Sequence, residues 1–280
     1  MKKSKTKNHQ KEVIAMSRKI RRIVLLPDIH YPHYNHEAFQ AVLKFVKWFK
    51  PDEINLMGDA MNMDTVDHWK RDKGNLKYFE GKRMKVEYEE FDKEILRPIE
   101  KAISKNCKKT YMGGNHEEWA EQFVEREPQF EGLVEPEICL RLKERNWEWI
   151  PYTVRDKQND TWKRGMKKYG KLTVFHGQYT NKYHAAKTAS QFSGSVAYGH
   201  SHDRQMATST TQDDYRSYHT AQSIGCLANL SPQFLKGRAN KWVNSFGVLY
   251  VRKGGDFNLY VPIIIKGQFI YAGKLFDGNK

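Results

Sequence analysis

Five times along this 280-residue chain, a short apolar run stops at residues able to bind a metal ion. Ile23-Val24-Leu25-Leu26 leads into Asp28 and His30, Ile54-Asn55-Leu56-Met57 into Gly58-Asp59, and Thr110-Tyr111-Met112 into Gly113-Gly114-Asn115-His116-Glu117. Leu172-Thr173-Val174-Phe175 leads into His176-Gly177, and Val196-Ala197-Tyr198 into Gly199-His200-Ser201-His202. Short continuous apolar runs are the pattern of strands buried on both faces. Between the first two runs, Phe39, Val42, Leu43, Val46 and Phe49 recur at helical spacing, and Pro51 stands just beyond. Strand, helix, strand in this order predicts a right-handed parallel unit. Ligands in such sheets collect beyond the carboxyl ends of the strands. Any one of these polar residues can sit on a surface loop; five sets, each directly after a strand, predict a shared site.

Spacing says more about the pairs. Helical neighbours lie three or four residues apart, so His200 and His202, like Asp28 and His30, are expected on extended segments. There, alternate side chains point the same way with a rise of roughly 6.5–7 Å over two residues. Two imidazoles so placed can straddle a pair of ions about 3.5–4 Å apart. Carboxylate, amide and imidazole donors together suit Mn²⁺, Fe²⁺, Zn²⁺ or Ni²⁺, and one carboxylate with two oxygens can bridge two ions.

The segment from Ala60 to Lys109 is a long excursion whose second half, about Lys82 to Ser104, reads as a charged amphipathic helix interrupted near Pro98. Further helices are predicted at Trp119 to Glu125, Pro136 to Glu144 and Tyr183 to Gln191, with a strand at Trp147 to Ile150. After His202, alternating segments at Gln205–Thr210, Ser217–Ile224, Ser245–Arg252 and Asn258–Ile265 predict an antiparallel-rich second half.

The formal net charge is +15, which invites a polyanionic partner. Residues 1–22 hold nine Lys/Arg against Glu12 alone. Residues 1–21 are therefore read as a flexible basic tail, either a nonspecific nucleic-acid arm or a solubilising one. Between Tyr152 and Lys171, seven Lys/Arg interleave with Tyr152, Trp162 and Tyr169. That texture fits a track for a single nucleic-acid strand and equally a solvated hairpin. Three scattered cysteines, Cys107, Cys139 and Cys226, suggest neither a disulfide framework nor a cysteine-based zinc site, which fits a cytoplasmic location. The longest apolar runs, such as Val261 to Ile265, fall far short of the roughly 18 residues a membrane helix needs, so no membrane partner is expected.

Asp28-x-His30, Gly58-Asp59, Gly114-Asn115-His116-Glu117, His176-Gly177 and Gly199-His200-Ser201-His202 match, in order, the five signature blocks of the calcineurin-like metallophosphoesterases. The resemblance spans about residues 22–205. A softer likeness through Ser223-Ile224-Gly225-Cys226-Leu227 and Asn240-Lys241-Trp242 is to phage- and prophage-encoded members. The resemblance implies an α/β fold, a two-sheet mixed β-sandwich flanked by helices, with residues 22–280 as a single domain. That domain would carry the helical insertion at about 60–109 and the basic, aromatic segment at 152–171. It implies that Asp28, His30 and His202 hold one divalent ion, that Asn115, His176 and His200 hold a second, and that Asp59 bridges them. The ions would be Mn²⁺ for preference, with Fe, Zn or Ni as alternatives. His116 would face the substrate, and a metal-bridging hydroxide would attack phosphorus in line. Arg204 and Trp162 are further candidates for touching substrate.

One departure bears on the substrate. Protein phosphatases of this superfamily follow Gly-Asp with Asp-Arg-Gly, whereas here Gly58-Asp59 continues Ala60-Met61-Asn62-Met63-Asp64-Thr65. Without that arginine, and with a basic balance, a nuclease or phosphodiesterase acting on DNA or RNA is the expected activity. A phosphomonoesterase using the same centre is the alternative, and a nucleic-acid-binding protein with a degenerate site the second. Oligomeric state is not readable from the sequence.

Overall fold

The computed structural model describes residues 20–280 apart from 75, 157 and 211–216. The tail expected over residues 1–21 therefore lies outside the described residues up to residue 19, and Arg21 already belongs to the first strand. In chain order the sandwich begins with β1 (Arg21–Leu26), α1 (His36–Phe49) and β2 (Glu53–Met57). The excursion contributes α2 (His68–Asp72), α3 (Met84–Phe91) and α4 (Arg97–Ala102) before β3 (Lys108–Met112). There follow α5 (Asn115–Arg126), α6 (Pro136–Cys139), β4 (Trp147–Ile150), β5 (Thr153–Asp156), β6 (Thr161–Arg164), β7 (Met166–Tyr169) and β8 (Leu172–Phe175). Then come α7 (His184–Gln191), β9 (Ser195–Tyr198), β10 (Met206–Thr210), β11 (Tyr218–Ser223), β12 (Gly247–Val251), β13 (Phe257–Tyr260) and a closing hairpin, β14 (Gln268–Tyr271) and β15 (Lys274–Asp277).

One sheet runs β13-β12-β1-β2-β3-β4, with β1 to β4 mutually parallel and β12 and β13 antiparallel at the edge. The other runs β10-β11-β9-β8-β7, parallel through β8, β9 and β11 and antiparallel at both edges. The two sheets stack with helices outside, the mixed sandwich that the motifs implied. β1 shows why its run is uninterrupted. Ile23 and Leu25 enter the core between the sheets with Val174, Ala197 and Leu249. Val24 and Leu26 enter the core under α1 with Phe39, Val42 and Phe45. A third apolar cluster, Phe175, Ala189, Val196, Tyr198 and Ala221, seats α7 on the second sheet.

Helix ends follow local chemistry. The Asn35 side chain accepts from the Ala38 N–H to start α1, and Lys50 in the left-handed region ends it before Pro51. The break expected near Pro98 is instead absorbed. A π turn at Asp92–Leu96 joins α3 to α4, with the Arg97 N–H bonded to the Asp92 carbonyl. Proline lacks an N–H and crowds the carbonyl four residues back, and a widened turn removes both problems without ending the helix. The helix predicted for Pro136 to Glu144 stops at Cys139 and continues as turns. The strand predicted for Asn258–Ile265 stops at Tyr260, before Pro262. Among the described residues no helix is long and apolar enough to cross a membrane.

A buried polar knot ties the sheets together. Glu53, at the start of β2, takes Lys167 Nζ at 2.7 Å, the Tyr169 hydroxyl at 2.7 Å, Thr110 Oγ1 at 3.1 Å and Arg21 Nη2 at 3.0 Å. Burial opposes its charge, but the hydrogen bond from Lys167, with those from Tyr169 and Thr110, holds its carboxyl below the usual range. A carboxylate with a lowered folded pKa contributes stability above its unfolded value and loses it as pH falls through the folded value. Glu53→Gln is therefore expected to cost about 3 kcal/mol at pH 7, in the range for breaking a buried pair. Urea unfolding should show the gap to the parent narrowing as pH falls below 4.5; a gap independent of pH would mean that charge is not what Glu53 contributes.

Candidate metal centre

The loops that leave β1, β2, β3, β8 and β9 meet at one end of the sandwich, and hydrogen bonds beyond the strands hold them in register. Asp28 N–H donates to the Gly58 carbonyl at 3.3 Å, His30 N–H to the Asp59 carbonyl at 2.8 Å, and Gly199 N–H to the His176 carbonyl at 2.7 Å. A buried carboxylate locks two of the loop backbones, those after β2 and β3. Glu117 accepts from the N–H groups of Asp59 (2.9 Å), Met61 (3.0 Å) and Gly114 (2.8 Å), and from the Tyr111 hydroxyl (2.9 Å). Burial and the neighbouring Asp59 charge push its carboxyl above the usual range. Asp28 accepts the His200 N–H on both oxygens at 2.9 Å, and Asp59 accepts the His116 N–H at 2.9 Å.

The extended geometry expected for Asp28-x-His30 and His200-x-His202 is not what the chain adopts. Asp28, His30, Asp59, His200 and His202 all lie in the left-handed region, with φ of 44, 55, 47, 63 and 59°. Each i, i+2 pair converges because both members turn out of the strand, not because a pleat aligns them. Asp and His enter this region more readily than most residues, yet such outliers cluster at functional sites. Two glycines make room underneath. A Cβ on Gly114 would lie 2.1 Å from Asp59 Oδ1, and one on Gly199 2.1 Å from Asp28 Oδ2.

All seven residues proposed as ligands from the sequence are brought together. Asp28, His30 and His202 offer ligand atoms within 4.8 Å of one another, as do Asp59, His176 and His200. A third group of the same kind, His30, Asp59 and His116, joins the two. Asn115 Oδ1 lies 3.1 Å from His176 Nε2. His30 Nε2 is 3.0 Å from His202 Nε2 and 3.6 Å from Asp59 Oδ2, and His202 Nε2 is 3.1 Å from Asp28 Oδ1.

The chemistry of these donors fits a divalent cation. His176 Nδ1 sits 3.0 Å from the Met57 carbonyl, so it carries the proton there. In a neutral ring Nε2 is then a lone pair, and it faces Asp59 Oδ2 at 3.3 Å and the Asn115 carbonyl oxygen. Acceptor against acceptor in a buried place calls for a positive charge between them. Burial disfavours a proton on His176, but the Asp59 carboxylate outweighs it and raises the imidazole to about 9. Burial opposes the Asp59 charge as well, and His176, His116 and His30 hold that carboxyl well below the usual range. His30 is pushed well below its ordinary value by burial and by His116, and His200 to about 4 by burial and by His176. His202 Nδ1 is buried without a hydrogen-bond partner among the described residues. A divalent ion supplies the charge such a set needs, and binding it displaces protons.

A cavity of about 370 Å³ opens on the cluster, lined among others by His30, His116, His202, Asn62, Tyr78 and Trp242. His116 is partly exposed there, with Nδ1 2.9 Å from the Asn62 carbonyl and its ring 4.0 Å from Trp119. Trp242 packs edge-on against His202 at 4.2 Å. Neither Arg204 nor Trp162 lines this cavity. Trp162 is 63% exposed on the β5–β6 hairpin. Within that hairpin Arg155 pairs with Asp160 and Lys163 with Asp156, and in the stretch after it Lys167 pairs with Glu53 and Lys171 with Asp256. Arg164 covers the Tyr152 ring at 4.2 Å. Sequence reasoning missed Asn62, Tyr78 and Lys70 as cavity residues and Glu117 as a clamp. No spacing signal marks the first three, and for Glu117 the only hint was its place in the third motif.

The profile described as calcineurin-like phosphoesterase matches residues 21–222. The chain belongs to this family of metal-dependent phosphoester hydrolases. Over 277 residues it is 24% identical to the Gene 54 protein of Mycobacterium phage D29, covering 92% of this chain and 99% of that one. Over 269 residues it is 22% identical to the Gene 54 protein of Mycobacterium phage L5, with the same coverage. Among solved structures, Entamoeba histolytica Vps29 complexed with Zn²⁺ aligns with a TM-score of 0.42 at 13% identity, covering 92% of this chain and 99% of that one. Chaetomium thermophilum Vps29 aligns with a TM-score of 0.43 at 13% identity, covering 88% and 92%.

Gly199→Ala forces Asp28 away from the cluster. It is expected to weaken Mn²⁺ binding about 10–100-fold, as loss of a support to a metal ligand does, while the chain still unfolds cooperatively. Titration calorimetry checks this, and unchanged affinity would mean that the Asp28–His200 contact is dispensable.

Proposed function

We propose that this protein is a two-metal phosphoesterase that hydrolyses phosphodiester bonds in nucleic acid. Asp28, His30 and His202 would hold one ion and Asn115, His176 and His200 the other, with Asp59 available to both and Mn²⁺ as the preferred metal. The observation that carries this reading is the overlap of the donor groups at Asp59 and His30, which makes one continuous cluster of two separate triads. When bound, divalent ions lower the pKa of a coordinated water and neutralise developing charge on phosphoryl oxygens.

The chain's own residues do the rest. Glu117 and the two glycines hold the ligand loops in place. His116, anchored through Nδ1 on the Asn62 carbonyl, presents its ring to the cavity and delivers a proton to the leaving oxygen. The wall of the cavity orients the ester. A diester is favoured by the net charge of +15 and by the absence of an arginine after Gly58-Asp59. The β5–β6 hairpin adds less to that support than its sequence suggests, because Arg155 and Lys163 are paired within it.

Hydrolysis of bis-p-nitrophenyl phosphate and p-nitrophenyl phosphate with Mn²⁺, followed by single- and double-stranded DNA, tests the reading. Diester turnover should exceed monoester turnover and DNA should be cut. Predominant monoester turnover with inert DNA would replace this reading by a phosphatase. Asp59→Asn and His200→Ala should each lower turnover by about 10²–10³-fold or more. His116→Ala should lower it by about 10²–10⁴-fold with metal content near that of the parent; metal loss would instead make His116 a ligand. Removing residues 1–19 should flatten the salt dependence of DNA binding while a small diester is still hydrolysed, and an unchanged slope would rule the tail out of binding.

A further inference from the structure

Asn62 touches two of the imidazoles that line the cavity, His30 and His116. Its side-chain Oδ1 lies 3.0 Å from His30 Nδ1, and its main-chain carbonyl 2.9 Å from His116 Nδ1. What fixes the direction of the Asn62 amide is its other neighbour. Asn62 Nδ2 is 2.5 Å from Asp64 Oδ1. A carboxylate only accepts, so the amide NH₂ must face Asp64 and the amide oxygen must face His30. An oxygen there obliges His30 to carry its proton on Nδ1. Its Nε2 is then a lone pair toward Asp59, Asp28 and His202.

Asp64 is itself held from the cavity wall. Its carboxylate takes the Tyr78 hydroxyl, Lys82 Nζ at 2.6 Å and His33 Nε2 at 3.0 Å, and its N–H donates to Glu87 Oε1 at 2.9 Å. Tyr78 and His33 line the cavity. Lys70 and Lys82 lie 3.5 and 3.6 Å from the Tyr78 ring centre, which fixes that ring in turn. Asp64 is 4% exposed although it lies in the excursion, outside the five motifs. A residue that only closed a turn would not need this many side-chain partners.

We propose that Asp64 and Asn62 form a relay of positioning residues from the 62–82 wall to the metal ligand His30, setting its tautomer and ring orientation. The proposal rests on the assignment of His30 as a ligand. It also gives the excursion a role, because the segment that walls the cavity then supports the metal centre as well. Partners that orient a ligating histidine typically change metal affinity about 10–100-fold when removed.

The test uses the full chain, Mn²⁺ for affinity by calorimetry, and ¹⁵N NMR of the histidine rings without metal at pH 8. The parent should show His30 protonated on Nδ1. Asn62→Leu and Asp64→Ala should move His30 toward the Nε2-protonated tautomer and weaken Mn²⁺ binding about 10–100-fold, with melting temperatures recorded alongside. The double variant Asn62→Asp/Asp64→Asn keeps a donor facing an acceptor at each step, so it should restore the tautomer and most of the affinity. An unchanged His30 tautomer, or affinity within twofold of the parent, in both Asn62→Leu and Asp64→Ala would overturn the relay. So would weak binding in the double variant when it melts like the parent. A parent chain that binds no Mn²⁺, or a His30→Ala variant that binds it as well as the parent, would overturn the ligand assignment and the relay together. A parent that binds Mn²⁺ as described yet cleaves no diester would refute the proposed reaction and leave the relay standing.

Discussion

The structure depends on an electrostatic conflict that the fold holds in place. Asp28 and Asp59 are buried beside imidazole nitrogens whose protons, for His30 and His176, are committed to Asn62 and the Met57 carbonyl. Lone pairs thus face lone pairs where water cannot solvate them, and such a cluster relaxes only by spreading apart or by taking a positive charge. Spreading is prevented by main-chain hydrogen bonds that cross between the loops and by the Glu117 clamp, which binds three N–H groups on two loops at once. That leaves the second route, a proton or a cation.

Holding that geometry has a conformational cost, visible in the backbone. Left-handed residues other than glycine cost roughly 1–2 kcal/mol each, and five of the proposed ligands adopt that conformation. The sum is comparable to much of the about 5–15 kcal/mol by which a domain is stable. It is tolerated because the strands beneath are buried on both faces, so each loop springs from a support that cannot shift without opening two cores. Asp and His also lessen the strain, being among the side chains that accept this region most readily. The same two residue types thus serve both the bend and the metal.

This division explains what was legible in the sequence. The strands of the first sheet and the identity of all seven clustered residues could be read, because a doubly buried strand leaves a continuous apolar run and the polar residues stand where it stops. The geometry of the pairs could not. Spacing of i, i+2 is shared by a pleated strand and by two left-handed turns, and the positive φ at Asp28, His30, His200 and His202 distinguishes them. The break expected at Pro98 failed for a related reason: proline forbids one hydrogen bond, but the chain chose where to absorb it, six residues upstream at Asp92. Asn62 and Tyr78 were unreadable as site residues, since nothing in a polar, irregular stretch tells which members fold back to the centre, and at Asp64 the spacing fitted a turn or cap residue as well. The closing β14–β15 hairpin escaped as well, its two short strands alternating too briefly to stand out.

The pattern of ion pairs separates the net charge of the chain from the charge of its site. Lys70 on the cavity wall is paired with Asp67 at 2.8 Å, and Lys82 behind it with Asp64 at 2.6 Å, so these cations are neutralised by the segment that carries them. In the hairpin beyond β4, Arg155 and Lys163 are paired in the same way. Charge concentrated in such pairs steers an anionic ligand weakly, because opposite signs cancel within a Debye length. The attraction for phosphate close to the centre therefore comes chiefly from the metal-binding cluster. The wall contributes shape and hydrogen-bonding groups, and through Asp64 and Asn62 it reaches His30. An excursion whose charges were free would bind polyanions anywhere along its surface. One whose wall cations are paired leaves the approach of an ester to be decided at the cluster and by the fit of the cavity.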